Sequence, residues 1–110
     1  VNYAGLPDHA DHALVQKYMG GRASGILSFG VKGGFEAGGR FQDALKLITR
    51  LVNIGDAKSL ACHPASTTHR QLSPAELAKA GVSPDMVRLS IGIEHIDDIV
   101  ADLEQALAAV

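Results

Sequence analysis

The chain has 110 residues, 46% of them hydrophobic and 20% charged, with a formal net charge of -2 at pH 7. That length fits one domain with a modest core, and that composition is globular rather than disordered. Charge this small and this evenly spread gives no electrostatic case for nucleic acid or an anionic membrane surface, and apolar runs of only a few residues exclude a membrane-spanning helix.

Residues 1–7 read as an extended segment ending in a Gly-Leu-Pro turn, without the basic start and long apolar stretch of a secretory leader. Asp8 is expected to cap a helix over about 9–19, with Ala10, Leu14 and Tyr18 as its apolar stripe and Gly20-Gly21 as its stop. Residues 25–32 alternate as a strand: Leu27, Phe29 and Val31 on one face, Ile26, Ser28 and Gly30 on the other. Paired glycines at 33–34 and 38–39 flank the start of a helix expected to end near residue 50, buried along Phe41, Ala44, Leu45 and Ile48. Leu51, Val52 and Asn53 read as a short strand ending at Gly55. Residues 61–72 show no period and read as a loop with room for one short strand.

Ser73-Pro74-Ala75-Glu76 is a capping box with Pro at the first helical position, and Gly81 ends the helix it starts. Residues 86–91 form a strand with Val87, Leu89 and Ile91 toward the core, which turns Arg88 and Ser90 the other way. The last helix runs from about 95 to 109. Its stripe is Ile96, Ile99, Val100, Leu103 and Leu107, and Asp97 and Asp98 sit in a first turn that favours negative charge. Together the elements make an α+β layer, a small, mostly antiparallel sheet with helices packed on one face. The face carrying Arg88 and Ser90 has no cover within the chain.

Arg88 is the leading candidate for chemistry. A mid-strand guanidinium can bind a carboxylate through two parallel hydrogen bonds, although strand arginines also serve as plain solvent-facing charges, here with Glu94 as a partner. His9, His12, His63 and His69 lack the number and spacing of a zinc set and read as solvated or structural. Cys62 is the sole cysteine, which excludes an internal disulfide framework and suits the reducing cytosol; its default is burial. The glycines at 30–39 form no phosphate-binding motif. On residues alone, a free-standing carboxylate-binding or interaction domain remains open.

Longer stretches narrow that choice. Asn-Ile-Gly-Asp-Ala-Lys-Ser-Leu (53–60), His-Pro-Ala-Ser-Thr-Thr-His (63–69), Val-Arg-Leu-Ser-Ile-Gly-Ile-Glu (87–94) and Asp-Asp-Ile-Val-Ala-Asp-Leu-Glu-Gln-Ala-Leu (97–107) occur in this order. Upstream stand Val-Asn-Tyr-Ala-Gly-Leu (1–6) and Phe-Gly-Val-Lys-Gly-Gly-Phe-Glu-Ala-Gly (29–38). Over essentially its whole length the chain resembles the C-terminal domain of the Cys/Met-metabolism enzymes that depend on pyridoxal 5'-phosphate. Its wording is most similar to their O-acetylhomoserine sulfhydrylase branch.

The resemblance implies the small C-terminal domain of the type I, aspartate-aminotransferase-like fold, over residues 1–110. The large cofactor-binding domain would lie outside this chain, which begins at Val1 rather than Met. It implies a cytoplasmic, homotetrameric transferase of methionine biosynthesis that makes homocysteine from sulfide and an acylated homoserine. An O-succinylhomoserine sulfhydrylase, a cystathionine γ-synthase and a methionine γ-lyase are the related alternatives. By position, Arg88 would bind the substrate α-carboxylate, Asn53 would lie beside that carboxylate, and Thr68 would line the pocket. Val52 would stand where some relatives carry Glu to meet a charged distal amine, which suits a neutral acyl side chain instead. The Schiff-base lysine of the family has no match among Lys17, Lys32, Lys46, Lys58 and Lys79, so the domain by itself is expected to be inactive.

Overall fold

A computed structural model describes residues 1–110. The elements follow in the order α1 (His12–Met19), β1 (Ile26–Gly30), α2 (Gly34–Ala44), β2 (Thr49–Arg50), β3 (Leu60–Cys62), a 3-10 turn (Pro64–Ser66), α3 (Pro74–Lys79), β4 (Met86–Ser90) and α4 (Ile96–Leu107). The four strands lie in the order β1-β4-β3-β2. β4 pairs antiparallel with β1 and with β3, while β2 joins β3 in parallel. The sheet is therefore mostly antiparallel, as expected. Asn2 extends it by one bridge, exchanging both backbone hydrogen bonds with Ser28 beyond the β1 edge.

The alternation of β1 and β4 sorts their side chains. Val87 and Leu89 are essentially inaccessible and join Phe41, Ala37, Ala61 and Ile99 in one core beneath α2 and α4. Phe29 meets Phe41 edge to face, with ring centroids 5.4 Å apart, a geometry that the aromatic quadrupole favours. The capping box at α3 forms as its sequence dictates: the Ser73 side chain accepts from the Glu76 N–H and the Glu76 carboxylate from the Ser73 N–H.

Several boundaries differ from expectation, each for a tertiary reason. α2 ends at Ala44, not near 50. The N–H groups of Lys46, Leu47 and Ile48 bond the Asp102 carboxylate of α4 at 2.9, 3.0 and 2.9 Å instead of continuing the helix. Gln105 closes the same junction by donating to the Ala44 carbonyl at 2.7 Å. The chain then leaves extended, so the strand falls at 49–50 and residues 51–53 carry none. A definite strand, β3, occupies 60–62 at the start of the stretch read as loop.

α1 begins at His12 without a side-chain cap, so Asp8 does not cap it. Its one buried residue is Val15, while Leu14 and Tyr18 face outward. α4 turns Ile99, Asp102 and Ala106 inward and leaves Ile96, Val100 and Leu107 exposed.

His63 is structural. Its ring is fully buried, Nε2 lies 2.7 Å from the Pro84 carbonyl, and Nδ1 lies 2.8 Å from the Ser66 hydroxyl. A carbonyl only accepts, so Nε2 donates there. The ring packs against α2 so closely that a Cβ at Gly38 would collide with it. His63→Ala, which strands these partners and leaves a void, is expected to cost about 2–3 kcal/mol. The shift of the urea unfolding midpoint measures it.

Candidate functional site

β4 carries Arg88 between two core residues. Its neighbours Val87 and Leu89 anchor the strand from below, so the guanidinium must emerge on the opposite face. One arm is held: Nη2 donates to the Asn53 carbonyl at 3.3 Å. Nε is buried and has no partner within the chain. A guanidinium in this state offers donors for an incoming carboxylate, and a buried N–H left unmatched costs about 1–3 kcal/mol. Arg88 borders a recess of about 620 Å³, whose wall includes Asn2, Ser28, His69 and Met86.

Glu94, the partner suggested for Arg88, is engaged elsewhere. Its carboxylate accepts from the Ser59 N–H at 2.6 Å and from the Ser59 hydroxyl at 2.8 Å. Those two donors, the backbone one foremost, hold the Glu94 carboxyl below the usual carboxylate range. Nor is the Arg88 face wholly bare. The loop after β2 lies over part of it, with the Gly55 N–H reaching the Ser90 hydroxyl at 3.4 Å, and Ser90 is buried.

The four residues singled out from sequence do not share one cavity. Arg88 and Asn53 are joined, but through the Asn53 backbone carbonyl. The Asn53 side chain instead accepts from the Ile54 N–H at 2.9 Å within its own loop. Val52 is half-exposed and lines a second cleft of about 360 Å³ with Arg50, Cys62 and Thr67. Thr68 is exposed; its hydroxyl lies 2.7 Å from Nδ1 of His69, the residue that does border the Arg88 recess. Ser59, and its pairing with Glu94, were not anticipated as parts of this region. They stand 35 residues apart in sequence, and no local period signals a pair at that separation.

No group of three or more His, Cys, Asp or Glu side chains converges in a way that could hold a metal ion. Cys62 is buried with its thiol 3.4 Å from the Thr67 hydroxyl. No helix is long and apolar enough to cross a membrane. The lysines are all exposed, and none lines the Arg88 recess.

A sequence profile described as Cys/Met metabolism PLP-dependent enzyme matches residues 1–108. The chain is 59% identical over 108 residues to O-acetyl-L-homoserine sulfhydrylase 1 of Thermus thermophilus, which covers 98% of this chain and 26% of that protein. It is 50% identical over 107 residues to a homocysteine synthase of Schizosaccharomyces pombe, covering 97% and 25%. It is 47% identical over 109 residues to L-methionine gamma-lyase of Pseudomonas putida, covering 99% and 27%.

Among solved structures, one described as an O-acetylhomoserine (thiol)-lyase of Campylobacter jejuni superimposes with a TM-score of 0.86 at 48% identity. That alignment covers 96% of this chain and 25% of that one. The Campylobacter structure carries N'-pyridoxyl-lysine-5'-monophosphate. The chain spans about a quarter of the length of these relatives.

Proposed function

The chain belongs to the Cys/Met-metabolism family of PLP-dependent enzymes, and from that premise we propose that it is the substrate-binding C-terminal domain of an O-acetylhomoserine sulfhydrylase. The whole protein would replace the acetyl group of O-acetylhomoserine with sulfide to make homocysteine, as a cytoplasmic homotetramer. The observation that carries the reading is the Arg88 guanidinium, held on one side by the Asn53 carbonyl and unmatched at its buried Nε. The names of the relatives at 59% and 50% identity support the sulfhydrylase over the lyase named at 47%.

Pyridoxal phosphate, bound by the remainder of the protein, would supply the electron sink for loss of acetate and addition of sulfide. The residues of this chain bind and orient. The Arg88 fork takes the two oxygens of the substrate α-carboxylate and fixes both its position and its rotation. Asn53 holds the fork through its carbonyl. Val52 presents no charge from its cleft, and Thr68 acts at a distance through His69.

The test is direct. The full-length protein, loaded with pyridoxal phosphate, should form homocysteine from O-acetylhomoserine and sulfide, more slowly from O-succinylhomoserine. Release of a keto acid from methionine without homocysteine formation would replace this reading with the lyase. Val52→Glu places a carboxylate where a neutral acyl group suits the cleft, and is expected to lower kcat/KM for O-acetylhomoserine about three- to tenfold. Steady-state kinetics of the variant checks it.

A further inference from the structure

Asn53 reaches Arg88 from residues 51–59, a connection between β2 and β3 with no regular structure of its own. Its carbonyl can fix a guanidinium only if the connection is itself fixed. At its ends the connection follows the β2–β3 pairing, through the Leu51 N–H to the Ala61 carbonyl and the Thr49 N–H to the Ser59 carbonyl; its middle is held to the end of β4 and the turn after it. The Gly55 N–H meets the Ser90 hydroxyl, the Ile93 N–H donates to the Ala57 carbonyl at 3.0 Å, and the Gly92 N–H donates to Ser59 Oγ at 2.9 Å.

Ser59 is the junction. It is fully buried, accepts from Gly92, and gives both its N–H and its hydroxyl proton to Glu94. The approach is so tight that a Cβ at Gly92 would collide with the backbone of Ala57–Ser59. The Glu94 carboxylate, beside these backbone bonds, thus ties the connection carrying Asn53 to the turn that follows the strand carrying Arg88.

We infer that Glu94, acting through Ser59, is a positioning residue for the substrate carboxylate: it fixes the 53–59 connection to the end of β4 so that the Asn53 carbonyl aims the Arg88 guanidinium. The inference rests on the carboxylate-binding role proposed for Arg88. A misaimed fork loses one of its two parallel bonds, so the effect belongs in substrate binding rather than in the chemical step.

The experiment uses the full-length enzyme with its cofactor. Glu94→Ala should raise KM for the amino-acid substrate about tenfold with kcat within about twofold, and Ser59→Ala should raise it about threefold. Glu94→Gln keeps the shape and one acceptor, and should remain within about threefold of the wild-type KM. Hydrogen exchange at the amides of residues 54–59 should quicken in Glu94→Ala. Asp102→Asn, which weakens a different junction, should lower stability without raising KM.

A wild-type KM in Glu94→Ala overturns the inference, and so does a KM that rises in Asp102→Asn as it does in Glu94→Ala. If Glu94→Ala does not fold, Ser59→Ala decides: an unchanged KM there overturns it equally. Arg88→Ala separates the two levels. Should its KM stay at the wild-type value, the role of Arg88 itself falls; should it rise while the Glu94 and Ser59 variants stay normal, only the positioning role falls.

Discussion

Arg88→Ala in the full-length enzyme is expected to raise KM for the amino-acid substrate roughly a hundredfold or more, the loss of about 3 kcal/mol of charge-assisted bonds to a carboxylate. The visible absorption of the bound cofactor should be unchanged, because the proposed role of Arg88 is to grip the substrate carboxylate and the remainder of the protein is proposed to hold the cofactor. A substrate analogue lacking the α-carboxylate sharpens the measurement. It should bind weakly to the wild type and lose little further affinity in the variant, since its missing group is the one Arg88 would grip. Arg88→Lys should recover only a small part of the loss. An ammonium is a point donor that cannot reproduce two parallel bonds, nor reach the Asn53 carbonyl and the ligand in one plane. Loss of cofactor absorption in Arg88→Ala, or an equal effect on the carboxylate-free analogue, would remove Arg88 from this role.

Asp102→Ala should be the most destabilising single change in the domain outside its apolar core, by about 3–4 kcal/mol. The carboxylate accepts from three successive backbone N–H groups and from the Gln105 amide, and it is nearly inaccessible to water. Removing it leaves those donors unmatched where α2 turns toward the sheet. Amide exchange at Lys46, Leu47 and Ile48 should quicken first, and the urea midpoint should fall with it. Asp102→Asn retains one acceptor oxygen and should cost less.

The same site predicts an acid dependence. Burial pushes the Asp102 carboxyl upward, but the three backbone donors and Gln105 outweigh it and hold it below the ordinary aspartate value of 3.8. A carboxyl lower in the folded than in the unfolded chain contributes stability that is complete above the unfolded value. That contribution is lost as pH falls through the folded one. The stability difference between wild type and Asp102→Ala should therefore be constant near neutrality and shrink below about pH 4. A difference that persists undiminished in strong acid would show that the charge of the carboxylate is not what holds the junction.

Of the proposed site, Arg88 alone was marked out by the order of residues. Arg88 stands out because Val87 and Leu89 commit their strand to a buried face, which leaves an arginine on the other one. Asn53, Val52 and Thr68 carry no such signature and entered only by resemblance to a family. The structure brings just one of them, Asn53, against Arg88, and does so through a backbone carbonyl that any residue type possesses. Side-chain identity at position 53 therefore could not have revealed the contact. The assignment of Glu94 to Arg88 failed for a related reason: proximity along the strand suggested the pair, whereas Ser59, across the fold, presents two donors to the same carboxylate.

What the sequence determines by itself is what repeats locally. The alternation of 26–31 and 86–91, the capping box at Ser73, the glycine stops at Gly20-Gly21 and Gly81, and the turning of Arg88 away from the core all follow from neighbours within a few residues, where sterics and short-range hydrogen bonds decide. The tertiary structure decides where α2 stops, which face of α1 and of α4 turns inward, how β2 joins the sheet in parallel, and what holds Arg88. At the end of α2 and around Arg88 the deciding partner is a polar group about 35 to 60 residues away in sequence. Asp102 ends a helix that local propensity would have continued. Glu94 and Ser59 pin a connection with no preference of its own, because a buried N–H must find an acceptor and only the folded chain brings one within reach.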